Sequence, residues 1–198
     1  MPYDEDPGVR WMLAYQAGSE EAFDRLVQAY AGQLFSLFTR FLGPVPERED
    51  LVQEVFLRVI RARERYQPTA RFSTWLYRIA FNLSVNKSER APAERSLEGI
   101  GGEDGAGRAS GLELADPRAE DPSRGLERGD VVAAVREAIA SLPPAQRMAL
   151  ILARYDERPY AEIAVVLGSS DKAVKSMVHR ARENLRARLA PFLQEEFS

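Results

Sequence analysis

The chain has 198 residues and a formal net charge of −3. Because 45% of its residues are hydrophobic, a chain of this length can build one or two folded domains. It has no cysteine, which excludes disulfides, thiolate zinc sites and cysteine nucleophiles. No apolar run is long enough for a transmembrane helix, and the acidic residues 1–8 do not resemble a secretory signal. These features predict a cytoplasmic protein.

The charge is divided unevenly along the chain. Residues 58–90 carry eight basic side chains against two acidic ones, and residues 168–190 carry six against two. Residues 91–130 instead carry ten acidic side chains against five arginines. Phosphate contacts need basic surface. Although the net charge of the whole chain is negative, two of its segments are basic and therefore suited to nucleic acid.

The N-terminal part of the sequence predicts four helices, because its apolar residues recur every three or four positions. They cover about 8–17, 20–42, 46–65 and 72–89. Ser19 is a candidate N-cap of the second helix, and Gly43 with Pro44 ends that helix.

Residues 91–129 interrupt the helical pattern with glycines, prolines and sparse apolar residues, which predicts a flexible linker between domains 1–90 and 130–198. An ordered surface loop is the alternative. Four further helices are predicted at about 130–140, 144–155, 160–167 and 170–189. Since no segment alternates with period two, the predicted fold class is all-α, with two helical domains.

A helix-turn-helix pattern lies near the end of the chain. Ile163, Ala164 and Leu167 form one apolar face, Gly168 supplies the turn, and Ser170 can cap the next helix. The second helix of such a motif enters the major groove of DNA. A helical hairpin with a solvated basic face fits the same spacing. The candidate contact residues are Ser170, Lys172, Lys175, Ser176, His179 and Arg180.

Aromatic and basic side chains are interleaved over residues 65–82. Unpaired bases stack on aromatic rings, at about 1–3 kcal/mol per base, while arginines hold the backbone, so this segment suits a melted strand. The competing interpretation assigns the rings to the hydrophobic core, and composition alone favours it. The residues concerned are Tyr66, Phe72, Trp75, Tyr77 and Phe81, with Arg65, Arg71 and Arg78 beside them.

The third predicted helix carries a polar and acidic patch that suits docking to a basic partner, although a solvated helix face explains it equally well. Its members are Glu47, Glu49, Asp50, Gln53 and Glu54.

Taken together, five motifs resemble the extracytoplasmic-function (ECF) sigma factors of bacterial RNA polymerase. The resemblance covers roughly residues 10–90 and 130–190 and leaves out only the linker. The motifs are residues 50–56 (DLVQEVF), 72–82 (FSTWLYRIAFN), 141–147 (SLPPAQR), 160–164 (YAEIA) and 174–185, which contains VKS and HRARENL.

The resemblance implies that residues 1–90 form a sigma-two domain. This domain would dock on the clamp helices of the polymerase β′ subunit and open the minus-ten promoter element. Tyr66 and Asn82 match family positions that hold a base flipped out of that element. The implied docking residues are Asp50, Gln53, Glu54 and Arg58, and the implied minus-ten residues are Tyr66, Arg71, Trp75, Arg78, Asn82 and Lys87.

By the same resemblance, residues 130–198 form a sigma-four domain that binds the β flap and reads the minus-thirty-five element through the candidate residues on its second helix. Nucleotidyl transfer belongs to the polymerase, so no catalytic residue, cofactor, metal ion or small-molecule substrate is expected. An anti-sigma factor is a further expected partner. Met177, Pro159 and Asp171 depart from the family pattern and leave the minus-thirty-five sequence open.

Two other functions compete with this interpretation. A helix-turn-helix regulator that does not join polymerase would bind duplex DNA alone, but it does not account for the aromatic and basic segment. An enzyme is disfavoured, because the chain has one histidine, no cysteine, no glycine-rich phosphate loop and no cluster with metal-ligand spacing.

Overall fold

The computed structural model describes residues 3–98 and 122–195, which form helices and no β-strand. None of the helices in these ranges is apolar over the length needed to cross a membrane. The predicted all-α class is confirmed. The helices are α1 (Pro7–Gln16), α2 (Glu20–Leu42), α3 (Arg48–Ala62), α4 (Phe72–Glu98), α5 (Pro122–Ala140), α6 (Pro144–Arg154), α7 (Tyr160–Leu167) and α8 (Asp171–Glu195), with a 3₁₀ turn at Arg63–Arg65.

Short polar residues and glycine fix the first helix ends. Asp6 accepts a hydrogen bond from the backbone N–H of Val9 at 2.9 Å, and Ser19 accepts one from Ala22 at 3.4 Å. Helix α2 ends at Gly43, whose φ of 83° is unfavourable for a residue with a Cβ. The predicted cap and end of α2 are therefore confirmed.

The N-terminal half, residues 3–98, is built around α2. Leu26, Leu34 and Phe38 of this helix are fully buried beneath α1, α3 and α4. Gly8 lets α1 approach α4 closely, because a Cβ at that position would lie 2.8 Å from the Cβ of Phe72. A larger residue would have to displace α1 from this close-packed core.

The C-terminal half, residues 122–195, is built around α6. Residues 148–152 of α6 are all buried, because α8 and α7 of the same half and α2 of the other half surround them. Gly168 joins α7 to α8 with a φ of 59°, and Ser170 caps α8 by accepting from the N–H of Ala173 at 3.3 Å. The predicted helix-turn-helix geometry is therefore present.

The two halves pack directly on each other. Helix α7 lies against α4, and α6 lies against α2. Arg147 of α6 is only 8% exposed and donates to the carbonyl oxygen of Phe41, near the end of α2, at 2.9 Å. Met148 and Ile163 belong to the same buried hydrophobic cluster as Phe41. The halves therefore share one core, which the sequence pattern did not indicate.

The predicted linker, residues 91–129, is longer than the segment between the two helices that flank it. Helix α4 continues to Glu98, and α5 begins at Pro122. The residues before Gly99 are mostly strong helix formers, and proline is well tolerated at the first position of a helix. Residues 99–121, which hold most of the glycines of the predicted linker, lie outside the described residues.

Candidate nucleic-acid interface

The first candidate surface is a polar stripe along α8. Its members follow one another at intervals that place them on one helix face. All are exposed, and several line a shallow groove of about 360 Å³ together with Met177. The stripe consists of Ser170 at the cap, followed by Lys172, Lys175, Ser176, His179 and Arg180.

The opposite face of α8 is buried, so the stripe faces solvent. Val174 and Val178 are 0% and 1% exposed, and α8 packs there on α6 and α7. The Ser176 hydroxyl donates to the carbonyl oxygen of Lys172 at 3.2 Å, within the helix. The long basic side chains are therefore the members of the stripe that extend furthest toward solvent. This is the arrangement in which a recognition helix presents donors to a DNA groove.

The second candidate surface runs along α4. Trp75, Arg78 and Asn82 are spaced by three and four residues and share one helix face. Arg78 and Asn82 are exposed, and Trp75 is half-buried. Arg71 stands at the N-terminal end of this stripe, where its guanidinium lies 3.3 Å from a carboxylate oxygen of Glu162 in α7. Four of the predicted minus-ten residues are thus brought together.

Tyr66 is not an open stacking platform in this structure. It is 6% exposed, and its ring packs edge-on against Trp75, with the ring centres 5.0 Å apart. Asn82 lies about 10 Å further along α4 than Trp75, at roughly 1.5 Å per residue. The core interpretation therefore describes the Tyr66 ring, whereas Trp75 and Phe81 are partly exposed.

The hydroxyl group of Tyr66 is buried and has no hydrogen-bond partner among the described residues. Burial raises the pKa of this hydroxyl above its ordinary value. We expect Tyr66→Phe to leave the free energy of unfolding unchanged or to raise it by up to about 1 kcal/mol, because a buried unpaired hydroxyl costs desolvation energy. Urea unfolding followed by circular dichroism measures this. A clear loss of stability would mean that the hydroxyl has a stabilising partner.

Lys87 lies apart from the stripe on α4. Five residues beyond Asn82, it points about 140° around the helix at about 100° per residue. Its ammonium group is 3.4 Å from Glu47, just before α3. Hydrogen bonds from the Glu47 backbone and from Lys87 lower the pKa of that carboxyl group. The structure therefore does not place Lys87 with the other predicted minus-ten residues.

The predicted docking residues lie on one side of α3. Asp50 and Gln53 are exposed, while Glu54 lies between Arg58 at 3.1 Å and Arg61 at 3.5 Å. The acidic patch is therefore partly neutralised by arginines of its own helix.

Two apolar side chains complete this side of α3. Leu57 is 44% exposed and Ile60 is 42% exposed. The sequence interpretation missed both, although Leu57 is out of phase with the inward positions Val55 and Val59, and that signal was available. A partly apolar surface rimmed by charges is typical of a protein-binding site.

Two family models match the chain, and together they cover most of both halves. Residues 26–91 match sigma-70 region 2, which contains α3 and the stripe on α4. Residues 133–185 match sigma-70 region 4, which contains the helix-turn-helix and the stripe on α8. The segment between the two matches contains all of residues 99–121.

Curated relatives extend this likeness over nearly the whole chain. The RNA polymerase sigma-H factor of Pseudomonas aeruginosa is 33% identical over 180 residues, covering 91% of this chain and 92% of the relative. The ECF RNA polymerase sigma factor SigW of Bacillus subtilis is 32% identical over 173 residues, covering 87% and 91%.

A solved structure shares the fold. The sigma factor RpoE of Bartonella quintana, in complex with the anti-sigma factor NepR, aligns with a TM-score of 0.60 at 20% identity. The alignment covers 85% of this chain and 96% of that one. With both region models matched in order and relatives covered almost end to end, the chain belongs to the ECF sigma factors of RNA polymerase.

Proposed function

We propose that this chain binds core RNA polymerase through α3, holds the opened minus-ten strand on α4 and reads the minus-thirty-five duplex with α8. The polymerase carries out nucleotidyl transfer with its own metal ions, so the chain supplies recognition and no catalytic group. We place this activity in the cytoplasm, where polymerase and chromosomal DNA are both found.

The single observation that carries this proposal is that a chain of net charge −3 has two separate surface stripes with basic side chains, one on α4 and one on α8. One stripe combines Trp75 with Arg71, Arg78 and Asn82, which suits unstacked bases and their backbone. The other lies on the recognition helix of a helix-turn-helix, which suits duplex DNA. A chain with two DNA surfaces and an overall acidic charge is expected to bind DNA weakly alone and tightly on a larger assembly that holds both modules.

The test is transcription from fragmented genomic DNA by bacterial core polymerase with and without this chain. Sequencing the transcripts should reveal start sites that appear only with the chain and that share two upstream elements. If core polymerase gains no new start site, although the chain is folded, the proposal fails.

Arg180 is the long basic side chain at the C-terminal end of the proposed recognition stripe. We expect Arg180→Ala to lower transcription from a cognate promoter by about 10-fold, since a base-edge contact discriminates by roughly 1–3 kcal/mol. Competition between promoters with altered minus-thirty-five bases measures the change. The matched control is Arg188→Ala, an exposed arginine further along α8. An equal effect of the control would identify general electrostatics instead of groove reading.

The alternative function, a helix-turn-helix regulator acting without polymerase, rests on the exposed face of α8 alone. It predicts tight, sequence-specific binding of the free chain to duplex DNA. A gel-shift titration without polymerase distinguishes the two functions, because a sigma factor of this design needs core polymerase for specific binding.

We also propose an anti-sigma factor as a partner. The support is the family itself and the complex of a fold relative with NepR. Co-purification of the tagged chain from its native host, followed by loss of transcription on adding the captured protein, would identify it.

A further inference from the structure

A side chain at the end of α1 contacts the 3₁₀ turn that precedes the stripe on α4. Gln16 is the last residue of α1 and is half-buried. Its Nε2 donates to the carbonyl oxygen of Arg63 at 2.9 Å, and to those of Glu64 and Tyr66 at 3.2 and 3.3 Å. Because a side-chain amide carries two N–H groups, it serves these three neighbouring acceptors by sharing them. One side chain thus holds the turn and the residue after it.

The 3₁₀ turn is a helix end that takes its donor from another part of the chain. Helix α3 ends at Ala62, and the turn continues it to Arg65. The last carbonyl groups of a helix have no partner within the helix. Pro68 lacks an N–H group and disfavours the helical conformation of Gln67, so the helix cannot continue. Gln16 therefore caps this end from 47 to 50 positions away in the sequence.

A second contact holds the same turn against α1 and α2. The guanidinium of Arg63 lies 4.1 Å from the centre of the Tyr15 ring and 3.0 Å from a carboxylate oxygen of Glu20. Tyr15 is 3% exposed, whereas Glu20 is largely exposed, so the stacking contact is the stronger of the two. The N–H of Ser19 donates to the carbonyl oxygen of Ala14 at 3.0 Å and fixes the corner between the helices. Both contacts to the turn therefore start from a fixed support.

Tyr66 connects this turn to the stripe on α4. Its carbonyl oxygen accepts from Gln16, and its buried ring packs on Phe72 and Trp75, with ring centres 6.2 and 5.0 Å apart. Trp75 is the aromatic member of the stripe. A shift of the Tyr66 backbone would therefore move the ring that supports Trp75. The position of the stacking residue thus depends, through Tyr66, on a side chain of α1.

We propose that Gln16 is a positioning residue for capture of the melted minus-ten strand. It holds the backbone at Tyr66, and Tyr66 holds Trp75 in the orientation that presents its ring to an unpaired base. The proposal rests on the proposed function in taking the stripe on α4 as the strand-binding surface, of which Gln16 is not a member. A surface that is ordered before the strand arrives binds it more tightly, because the cost of ordering is not added at binding.

Two substitutions at the same position test the role of the donor. Gln16→Met removes both N–H groups and keeps a side chain of similar length. Gln16→Lys keeps N–H donors on a flexible stem, and a cation is favoured at the C-terminal end of a helix. The controls are Gln28→Met and Gln28→Lys, which make the same exchanges at an exposed position on α2.

The first readout is amide hydrogen exchange of the free chain, followed by mass spectrometry. We expect Gln16→Met to exchange the amides of residues 60–66 about 5-fold faster than Gln28→Met does, because the uncapped turn frays. Gln16→Lys should exchange them within about 2-fold of Gln28→Lys, and the buried helix α6 should exchange alike in all four variants. Unchanged exchange of residues 60–66 in Gln16→Met would mean that the amide does not hold the turn.

The second readout is promoter opening by core polymerase with each variant. A cognate promoter with 2-aminopurine in its minus-ten element becomes fluorescent when that element unstacks. We expect Gln16→Met to lower the equilibrium constant for opening by about 5- to 10-fold relative to Gln28→Met, and Gln16→Lys to recover it to within about 2-fold of Gln28→Lys. The affinity for core polymerase and the discrimination between minus-thirty-five sequences should stay within about 2-fold. An equal loss of core affinity and of opening would show general damage to the N-terminal half and would overturn the proposal.

A third measurement asks whether Gln16 acts through Tyr66. In a chain that carries Tyr66→Ala, the ring that Gln16 positions is absent, so adding Gln16→Met should change the opening constant by less than about 2-fold. The same 5- to 10-fold loss in both backgrounds would mean that the two residues act independently, and positioning through Tyr66 would be wrong.

These readouts separate the proposal from the proposed function. If core polymerase gains no transcripts from the parent chain, the proposed function fails, and the exchange rates still judge whether Gln16 holds the turn. If the parent chain gives promoter-specific transcription but Gln16→Met opens the promoter as well as Gln28→Met does, the positioning role fails alone.

Discussion

Leu57→Lys is expected to weaken the association of the chain with core polymerase by about 30-fold, because an ammonium group would enter the apolar centre of the docking side of α3. Leu57 is 44% exposed, so the substitution should leave the N-terminal half folded. Fluorescence anisotropy of the labelled chain titrated with core polymerase measures the loss.

The control for this variant is Gln28→Lys, which adds the same charge at an exposed position on α2. It should bind core polymerase within about 2-fold of the parent chain, since surface substitutions outside an interface change little. Unchanged binding of Leu57→Lys would remove α3 as the docking surface, whereas loss of binding in both variants would indicate a general charge effect.

Arg147→Ala is expected to lower the free energy of unfolding by about 2–4 kcal/mol, because it leaves two buried carbonyl groups and a partly buried one without this donor. The guanidinium donates to the carbonyl oxygens of Phe41, Leu142 and Ala140. Burial lowers the pKa of Arg147, because desolvation disfavours the charged guanidinium. Part of the favourable energy of its hydrogen bonds therefore offsets this desolvation cost. Urea unfolding followed by circular dichroism measures the difference.

Two companion variants define the cause of that loss. Arg147→Lys should recover only a minor part of the stability, because an ammonium group cannot match the planar fork that reaches carbonyls of both halves. Arg154→Ala removes an exposed arginine from the same helix and should change stability by less than about 0.5 kcal/mol. If Arg154→Ala proved as destabilising as Arg147→Ala, helix charge would be the cause.

Two acidic residues of the C-terminal half lie at the contact between the halves. Glu162 and Asp156 both face arginines of the N-terminal half.

Local sequence determined the helices, the turn at Gly168 and the basic stripe on α8. These features depend on hydrogen bonds and side-chain periods within a few residues, such as the Ser19 and Ser170 caps. The difference in net charge between residues 58–90 and 91–130 could also be counted from the sequence, because net charge is a sum over side chains. The motifs that mark the family could also be recognised from the sequence, because each is a short run of neighbouring residues.

The tertiary structure alone decided which of these side chains meet. In the folded chain Tyr66 is buried beside Trp75, and Lys87 lies next to Glu47. The tertiary structure also brought α7 onto α4, with Glu162 on Arg71, across a long separation in sequence. Periodicity tells which face of a helix is apolar, but it does not tell which other helix covers that face. That choice depends on shape and charge at close range, which only the packed chain contains.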